Sequence, residues 1–215
     1  MTKKSKTLLN YLKVAFPDAS CSLLFRSDFE CLVAIMLSAQ TTDVSVNKVT
    51  PTLFAHFSSP ESLSKATLEE VERDIHSLGM YRTKAKSLLL LSQKLIQEYG
   101  GNVPKAKEEL VSLPGVGNKT AGVFLLERAN IPAIPVDTHI SRISMRLGYA
   151  SKNQNPVQIE AKLETSFPKS EWIFLHHSLI AFGRNVCLAK NPRCEECAFH
   201  KYCSYFKKTA STTGK

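Results

Sequence analysis

Leu113-Pro114-Gly115-Val116-Gly117-Asn118-Lys119-Thr120-Ala121 lies between two stretches, about residues 106–112 and 118–129, whose apolar residues recur at helical spacing. Two glycines one residue apart permit a tight turn with positive φ. Val116 between them is the apolar peg expected to pack the two helices together. The second helix starts with N–H groups that have no partner inside the helix. A glycine turn running into such an end forms a nest for a phosphate without any side-chain charge. Taken alone, a glycine turn between helices is often only a turn.

Outward from the hairpin the pattern stays helical. Sustained alternation of Val, Ile and Thr is missing, so the chain reads as all-α. Helices are predicted near residues 5–15, 28–38, 43–57, 68–77, 82–98, 106–112, 118–129, 138–147, 156–166 and 170–184. Ser27 with Glu30 and Thr67 with Glu70 read as capping boxes, and Ser59 before Pro60 as an N-cap followed by an N1 proline. Gly79, Gly100 and Gly148 read as stop signals. Pro51 falls inside the third predicted helix and predicts a kink there or two shorter pieces. Gly100–Lys105 and Ile131–Val136 read as linkers, the second carrying Pro132 and Pro135. The polar ends, Met1–Lys6 and Lys207–Lys215, are expected to be mobile.

Lys119 occupies the first turn of the helix after the hairpin. The positive end of the helix dipole and apolar Val123 both disfavour a charged amine there. A neutral amine attacks electrophilic carbon and forms a Schiff base; the competing reading is a lysine that contacts phosphate or solvent. Asp137 follows the proline-rich linker and opens Asp137-Thr138-His139-Ile140, where a carboxylate suits an N-cap. The short linker lets the chain turn back towards Lys119, but spacing sets no distance between the two.

Four of the six cysteines, Cys187, Cys194, Cys197 and Cys203, crowd into one segment as C-x6-C-x2-C-x5-C. Such crowding means ligation or disulfides, and a reducing compartment favours a metal centre. Zinc and a [4Fe-4S] cluster both accept four cysteines. Zinc knuckles usually pair two C-x2-C elements, so this spacing leans towards iron and sulphur without deciding it. Cys31, in an apolar helix, and the isolated Cys21 read as ordinary thiols. Arg184, Lys190, Arg193, Lys201, Lys207 and Lys208 ring the cysteine segment with positive charge.

The whole chain, 215 residues, carries a formal charge of +9, which favours a polyanionic partner through long-range attraction and counterion release. A basic protein with solvated lysines has the same composition, so charge alone does not decide. No apolar stretch approaches the roughly 20 residues that span a bilayer. The basic N-terminus leads into no hydrophobic signal region either. An intracellular protein with no membrane partner is expected.

Together these residues resemble the endonuclease III family of helix-hairpin-helix DNA glycosylases. The resemblance covers nearly the whole chain. It is carried by Leu37-Ser38-Ala39-Gln40-Thr41-Thr42-Asp43-Val44-Ser45-Val46-Asn47-Lys48, by Gly79-Met80-Tyr81 with Lys84 and Ala85, and by the hairpin. Val136-Asp137-Thr138-His139 and the four cysteines complete it. It implies a two-lobed all-α fold: a helical barrel over 21–130 with the hairpin at about 106–129, and a second lobe from 1–20 plus 131–215 with a cluster loop at 187–203. It implies a [4Fe-4S] cluster on Cys187, Cys194, Cys197 and Cys203, chiefly structural in the family.

The implied activity is base-excision repair as a DNA N-glycosylase and abasic-site lyase acting on oxidised pyrimidines, with Lys119 and Asp137 catalytic. The implied partner is double-stranded DNA containing damaged bases or abasic sites. The protein would work as a monomer, and in a bacterium it would be cytoplasmic and nucleoid-associated. By position Gln40 enters the space left by a flipped nucleotide and Met80 is the apolar wedge. Gly115, Gly117, Thr120 and His139 are further DNA contacts. Helix capping by Gln40, a core place for Met80 and a structural role for His139 are the alternatives.

Two residues depart from the family pattern. Asn118 stands where a basic residue is common and Gly122 where Asn often is, which bears on damage preference rather than on the nucleophile. An adenine-mismatch glycosylase that activates water shares the fold, but Lys119 at the nucleophile position and the lack of an extra C-terminal domain argue against it. A non-catalytic iron–sulphur DNA binder and a zinc module are the remaining rivals.

Overall fold

The computed structural model describes residues 1–210, with side chains to Lys207. Among the described residues there are α-helices and short 3-10 turns and no strand. The helices are α1 (Lys3–Ala15), α2 (Asp28–Leu37), α3 (Asp43–His56), α4 (Pro60–Ser64), α5 (Leu68–Ile75) and α6 (Tyr81–Tyr99). They continue with α7 (Lys107–Ser112), α8 (Asn118–Ala129), α9 (Thr138–Leu147), α10 (Pro156–Ser166), α11 (Trp172–Asn185) and α12 (Ser204–Ala210). The chain divides into two compact units, Ser22–Ile131 and Met1–Cys21 with Pro132 onward.

Short polar side chains decide most helix starts. Thr2, Ser27, Thr42, Ser59, Thr67, Asp137 and Asn155 each accept a hydrogen bond from an N–H of the first turn, an arrangement that stabilises a helix by about 1 kcal/mol. In the unit Ser22–Ile131, every residue of α2 from Phe29 to Leu37 is buried. A helix apolar on all sides sits at the centre of a core, and α3, α6 and α8 pack around it. Arg128 and Lys105 both reach Asp28 in its first turn.

In the other unit, Leu8, Leu9 and Leu12 of α1 enter a core with Ile140, Ile143 and Leu147 of α9, Ile159 and Leu163 of α10, and Leu175, Leu179 and Phe182 of α11. Each buried leucine contributes roughly 1.5–3 kcal/mol, so α1 is held by tertiary burial more than by its own propensity.

Several expectations need correction. Lys3–Lys6 belong to α1, because the leucine stripe behind them docks the helix. Lys207 lies within α12, which was not predicted; residues 211–215 fall outside the described residues. Helix α4 was also missed, since five residues are too few to show a period, although its Ser59–Pro60 start was legible. Of the two alternatives at Pro51, two shorter pieces are excluded: α3 runs through it as one segment, held by the Thr42 cap and by buried Val46, Val49 and Leu53. Gly100 and Gly148 end α6 and α9 in the left-handed region, but at the third signal it is Met80, not Gly79, that has positive φ. Val103 and Pro104 of the first linker are buried, so that stretch is packed rather than loose.

Candidate functional site

The hairpin joins α7 to α8 through Leu113–Gly117. Buried Leu113 and Val116 anchor it to the core, and the Val116 N–H donates to the Leu113 carbonyl at 3.1 Å. Gly115 has φ +77, and a Cβ there would lie 2.8 Å from Met36 Cε and 2.9 Å from Ser87 Cβ. Both the conformation and the close approach therefore demand glycine. Gly117 is different. Its φ is −94, and a Cβ would meet nothing within 4 Å, so only one of the paired glycines serves the turn. Gly117 instead stands at the N-cap of α8, where no side chain caps the first-turn N–H groups. Asn118 and Lys119 are exposed and Thr120 is half-buried. The burial of Lys119 suggested by Val123 is not observed.

Gln40 and Met80 lie on one groove in the same unit, which Gly115, Thr83 and Lys84 also line. Neither takes the bland role considered for it. Gln40 caps no helix: Thr42 is the N-cap of α3 and Ser38 the C-cap of α2. Met80 is 56 % exposed rather than part of the core. Both hold left-handed backbone, with φ 54 and 59, a conformation that costs a non-glycine residue about 1–2 kcal/mol. Strained, exposed residues on a shared groove are where binding sites concentrate.

In the other unit, Asp137 is the N-cap of α9 and accepts from the Ile140 N–H at 2.8 Å. It is half-buried. His139, two residues on, lies against α11, where a Cβ on Gly183 would come within 2.8 Å of its ring. Arg142 Nη2 lies 3.2 Å from His139 Nδ1 and donates to the Gly183 and Cys187 carbonyls at 2.9 and 2.8 Å. His139 is thus a partnered histidine, as its structural reading requires. Sequence inspection missed Arg142 and Arg146; their i, i+4 spacing on α9 was the signal that could have found them.

The four cysteines line one pocket with Leu147 and Phe182 of the core. All four are free thiols, Cys203 buried and the others half-buried. Burial, reinforced by the neighbouring cysteines, pushes the Cys194 and Cys197 thiols above the ordinary cysteine range. Arg146 Nη1 donates to Cys187 Sγ at 3.3 Å and to the Leu188 carbonyl at 2.6 Å, and the Phe206 N–H donates to Cys203 Sγ at 3.5 Å. Among the described residues no group of three or more His, Cys, Asp or Glu side chains is arranged to hold a metal ion. Arg184, Lys190, Arg193, Lys201 and Lys207 of this region are exposed, with Arg193 3.9 Å from Glu196. The Lys208 side chain lies outside the described residues. Cys31 is buried and Cys21 half-buried, as ordinary thiols would be. Among the described residues no helix is long and apolar enough to cross a membrane.

A family profile for HhH-GPD superfamily base excision DNA repair proteins matches residues 33–169. Endonuclease III of Bacillus subtilis (strain 168) is 45% identical over 201 residues, which covers 94% of this chain and 92% of that protein. Two solved structures, a trapped endonuclease III–DNA covalent intermediate and a non-covalent endonuclease III–DNA complex, superpose with TM-scores of 0.93 and 0.94. Each is 42% identical and covers 98% of this chain and 100% of its own. With the hairpin, the helix order and nearly the full length in common, the chain belongs to the endonuclease III family of HhH-GPD base excision DNA repair proteins.

Proposed function

We propose that this protein is a bifunctional repair enzyme that removes oxidised pyrimidines from double-stranded DNA and then cuts the strand by β-elimination, with Lys119 as the nucleophile. The observation that carries the reading is Lys119 itself: an exposed amine in the first turn of a helix that no side chain caps, directly after a glycine turn. A structural neighbour was trapped as a covalent intermediate with DNA, which supports a covalent nucleophile here.

The chemistry follows from what the substrate demands. C1′ of the damaged nucleotide is unreachable inside the stack, so the nucleotide is extruded first. The lone pair of the neutral Lys119 amine forms a bond to C1′ and the bond to the base breaks, its electron pair leaving with the base. Ring opening converts the adduct to a protonated imine, which acidifies the C2′ hydrogen. Loss of that proton drives electrons towards C3′ and expels the 3′ phosphate, cutting the strand; water then releases Lys119. We assign Asp137 the role of accepting the amine proton and of stabilising positive charge developing on the sugar. The N–H groups of α8 would receive a phosphate, with Gly115, Gly117 and Thr120 forming the approach, and His139 a further contact. Gln40 and Met80 would fill the gap in the stack.

The cysteine loop suits a [4Fe-4S] cluster held by Cys187, Cys194, Cys197 and Cys203. Four thiols lining one apolar pocket and donors to two of the sulphurs fit a group that spreads charge over many atoms. When bound, the cluster cross-links the loop and so holds its basic side chains in place. Brown protein containing iron and acid-labile sulphide in equal amounts is expected; colourless protein with stoichiometric zinc would reverse the assignment.

The test is borohydride trapping on an end-labelled duplex containing one thymine glycol. A covalent protein–DNA adduct that vanishes in Lys119→Ala is expected. Base release without an adduct would assign the chain to the water-activating glycosylases. Intact DNA binding with neither activity would favour a binding protein.

A further inference from the structure

Lys84 is not accounted for by the proposed chemistry, yet its surroundings are unusual. It lies in the first turn of α6, an unfavourable place for a cation because the N–H groups there already carry partial positive charge. Burial lowers its pKa from the ordinary lysine range. A surface lysine would turn outward. Lys84 instead reaches back across the unit and donates to the Leu37 carbonyl at 2.9 Å and to Thr41 Oγ1 at 2.7 Å.

These two acceptors bracket Gln40. Leu37 is the last residue of α2, so its carbonyl is one that the helix leaves unpaired. Thr41 passes the contact on, its hydroxyl donating to the Ala39 carbonyl at 3.3 Å. The backbone N–H of Lys84 donates to the Met80 carbonyl at 3.0 Å. One residue therefore binds both strained segments, by its side chain the turn that holds Gln40 at φ 54 and by its backbone the residue at φ 59. Left-handed backbone persists outside glycine only where the surroundings over-determine it; the Lys84 side chain supplies that for the Gln40 turn, and the first helical bond of α6, which any residue at 84 would make, fastens Lys84 to the Met80 carbonyl.

We infer that Lys84 is a positioning residue: it locks the Gln40 turn onto the Met80 turn, so that the two side chains meet the duplex as one preformed element. The inference rests on the reading of Gln40 and Met80 as residues that enter the stack. It assigns Lys84 no contact with the reacting atoms. A preformed element lowers the ordering cost at the moment of extrusion, so its loss acts on the extrusion step.

The experiment uses the full chain with Lys84→Met, which keeps the stem without a donor, and Lys84→Arg, which restores donors. Duplexes carry a thymine glycol with 2-aminopurine in the opposing strand to report unstacking. Lys84→Met is expected to lower the maximal single-turnover excision rate and the fluorescence rise by about tenfold, the scale of losing charge-assisted hydrogen bonds, with duplex affinity nearly unchanged and the melting temperature lowered by no more than about a few degrees. Hydrogen exchange at 38–42 should rise in the free protein, and Lys84→Arg should recover most of the loss. In a Gln40→Ala background the same substitution should add less than about twofold.

Full activity of Lys84→Met, or a loss that multiplies with that of Gln40→Ala, overturns the inference. A parallel loss of affinity, excision and melting temperature, with no rescue by arginine, makes Lys84 merely structural and overturns it too. If Gln40→Ala and Met80→Ala excise as fast as the unaltered chain, the insertion reading itself fails, whatever Lys84→Met does to exchange at 38–42.

Discussion

Helices α8 and α9 begin in opposite ways. At α8 the N-cap is Gly117, no side chain covers the first-turn N–H groups, and the exposed residue beside them is a lysine. At α9 the N-cap is Asp137, whose carboxylate takes the Ile140 N–H and is half-buried in doing so. Most helices of the chain follow the α9 pattern, with Ser, Thr, Asn or Asp at the cap. A glycine cap forgoes only about a few tenths of a kcal/mol, and what it retains is a set of donors available to an anion. The two helix starts thus illustrate two uses of one feature: a capped start serves the fold, and an open start is available to a ligand.

Substitutions can break this comparison, and the largest effect is expected at α8. Lys119→Ala should abolish the borohydride-trapped adduct and lower strand cleavage by about a thousandfold or more, while the melting temperature holds because the side chain is exposed. Unfolding of this variant would show that Lys119 serves the fold instead.

At α9 cap and charge are separable. Asp137→Asn keeps an acceptor for the Ile140 N–H and should change stability by less than about 1 kcal/mol, yet slow excision by about a hundredfold. Asp137→Ala should slow excision as much and also cost about 1 kcal/mol in denaturant unfolding. Equal activity of the Asn variant and the unaltered chain would leave Asp137 a cap and nothing more.

The glycines sharpen the contrast within the hairpin. Gly115→Ala introduces a side chain at φ +77 against Ser87 Cβ and should destabilise the chain by about 1–2 kcal/mol from the conformation alone. Gly117→Ala, whose Cβ meets nothing, should cost less than about 1 kcal/mol, the preference of an N-cap for glycine over alanine. It should still weaken binding to duplex DNA severalfold, since a methyl group stands where a phosphate would approach the open N–H groups. Unchanged affinity in Gly117→Ala, measured at fixed salt, would remove the phosphate from this helix end.

Much of this was legible along the chain because it is local. Caps such as Ser27 and Thr67 act on N–H groups three residues away, and the apolar period of α1 or α9 is set by 3.6 residues per turn. The same locality explains the misses. Helix α4 is shorter than the window in which a period can be seen, and α12 is docked by a core built mainly from distant segments. At Pro51 the chain alone left open two shorter pieces, whereas buried Val46, Val49 and Leu53 keep α3 in one segment.

The sequence by itself determined the helical class, the hairpin with Lys119 in the next first turn, Asp137 at a helix start, and four cysteines crowded into one segment. Each depends on residues within a few positions of one another, where backbone geometry leaves little choice. Only the tertiary structure decided that Gly115 alone serves the turn, that Gln40 and Met80 share one groove, and that Lys84 joins their two segments. It also decided that Arg142 and Arg146 hold the cysteine loop to α9. Those contacts join residues about 40 positions apart, and whether such residues meet is set by how the helices pack, which no spacing along the chain encodes.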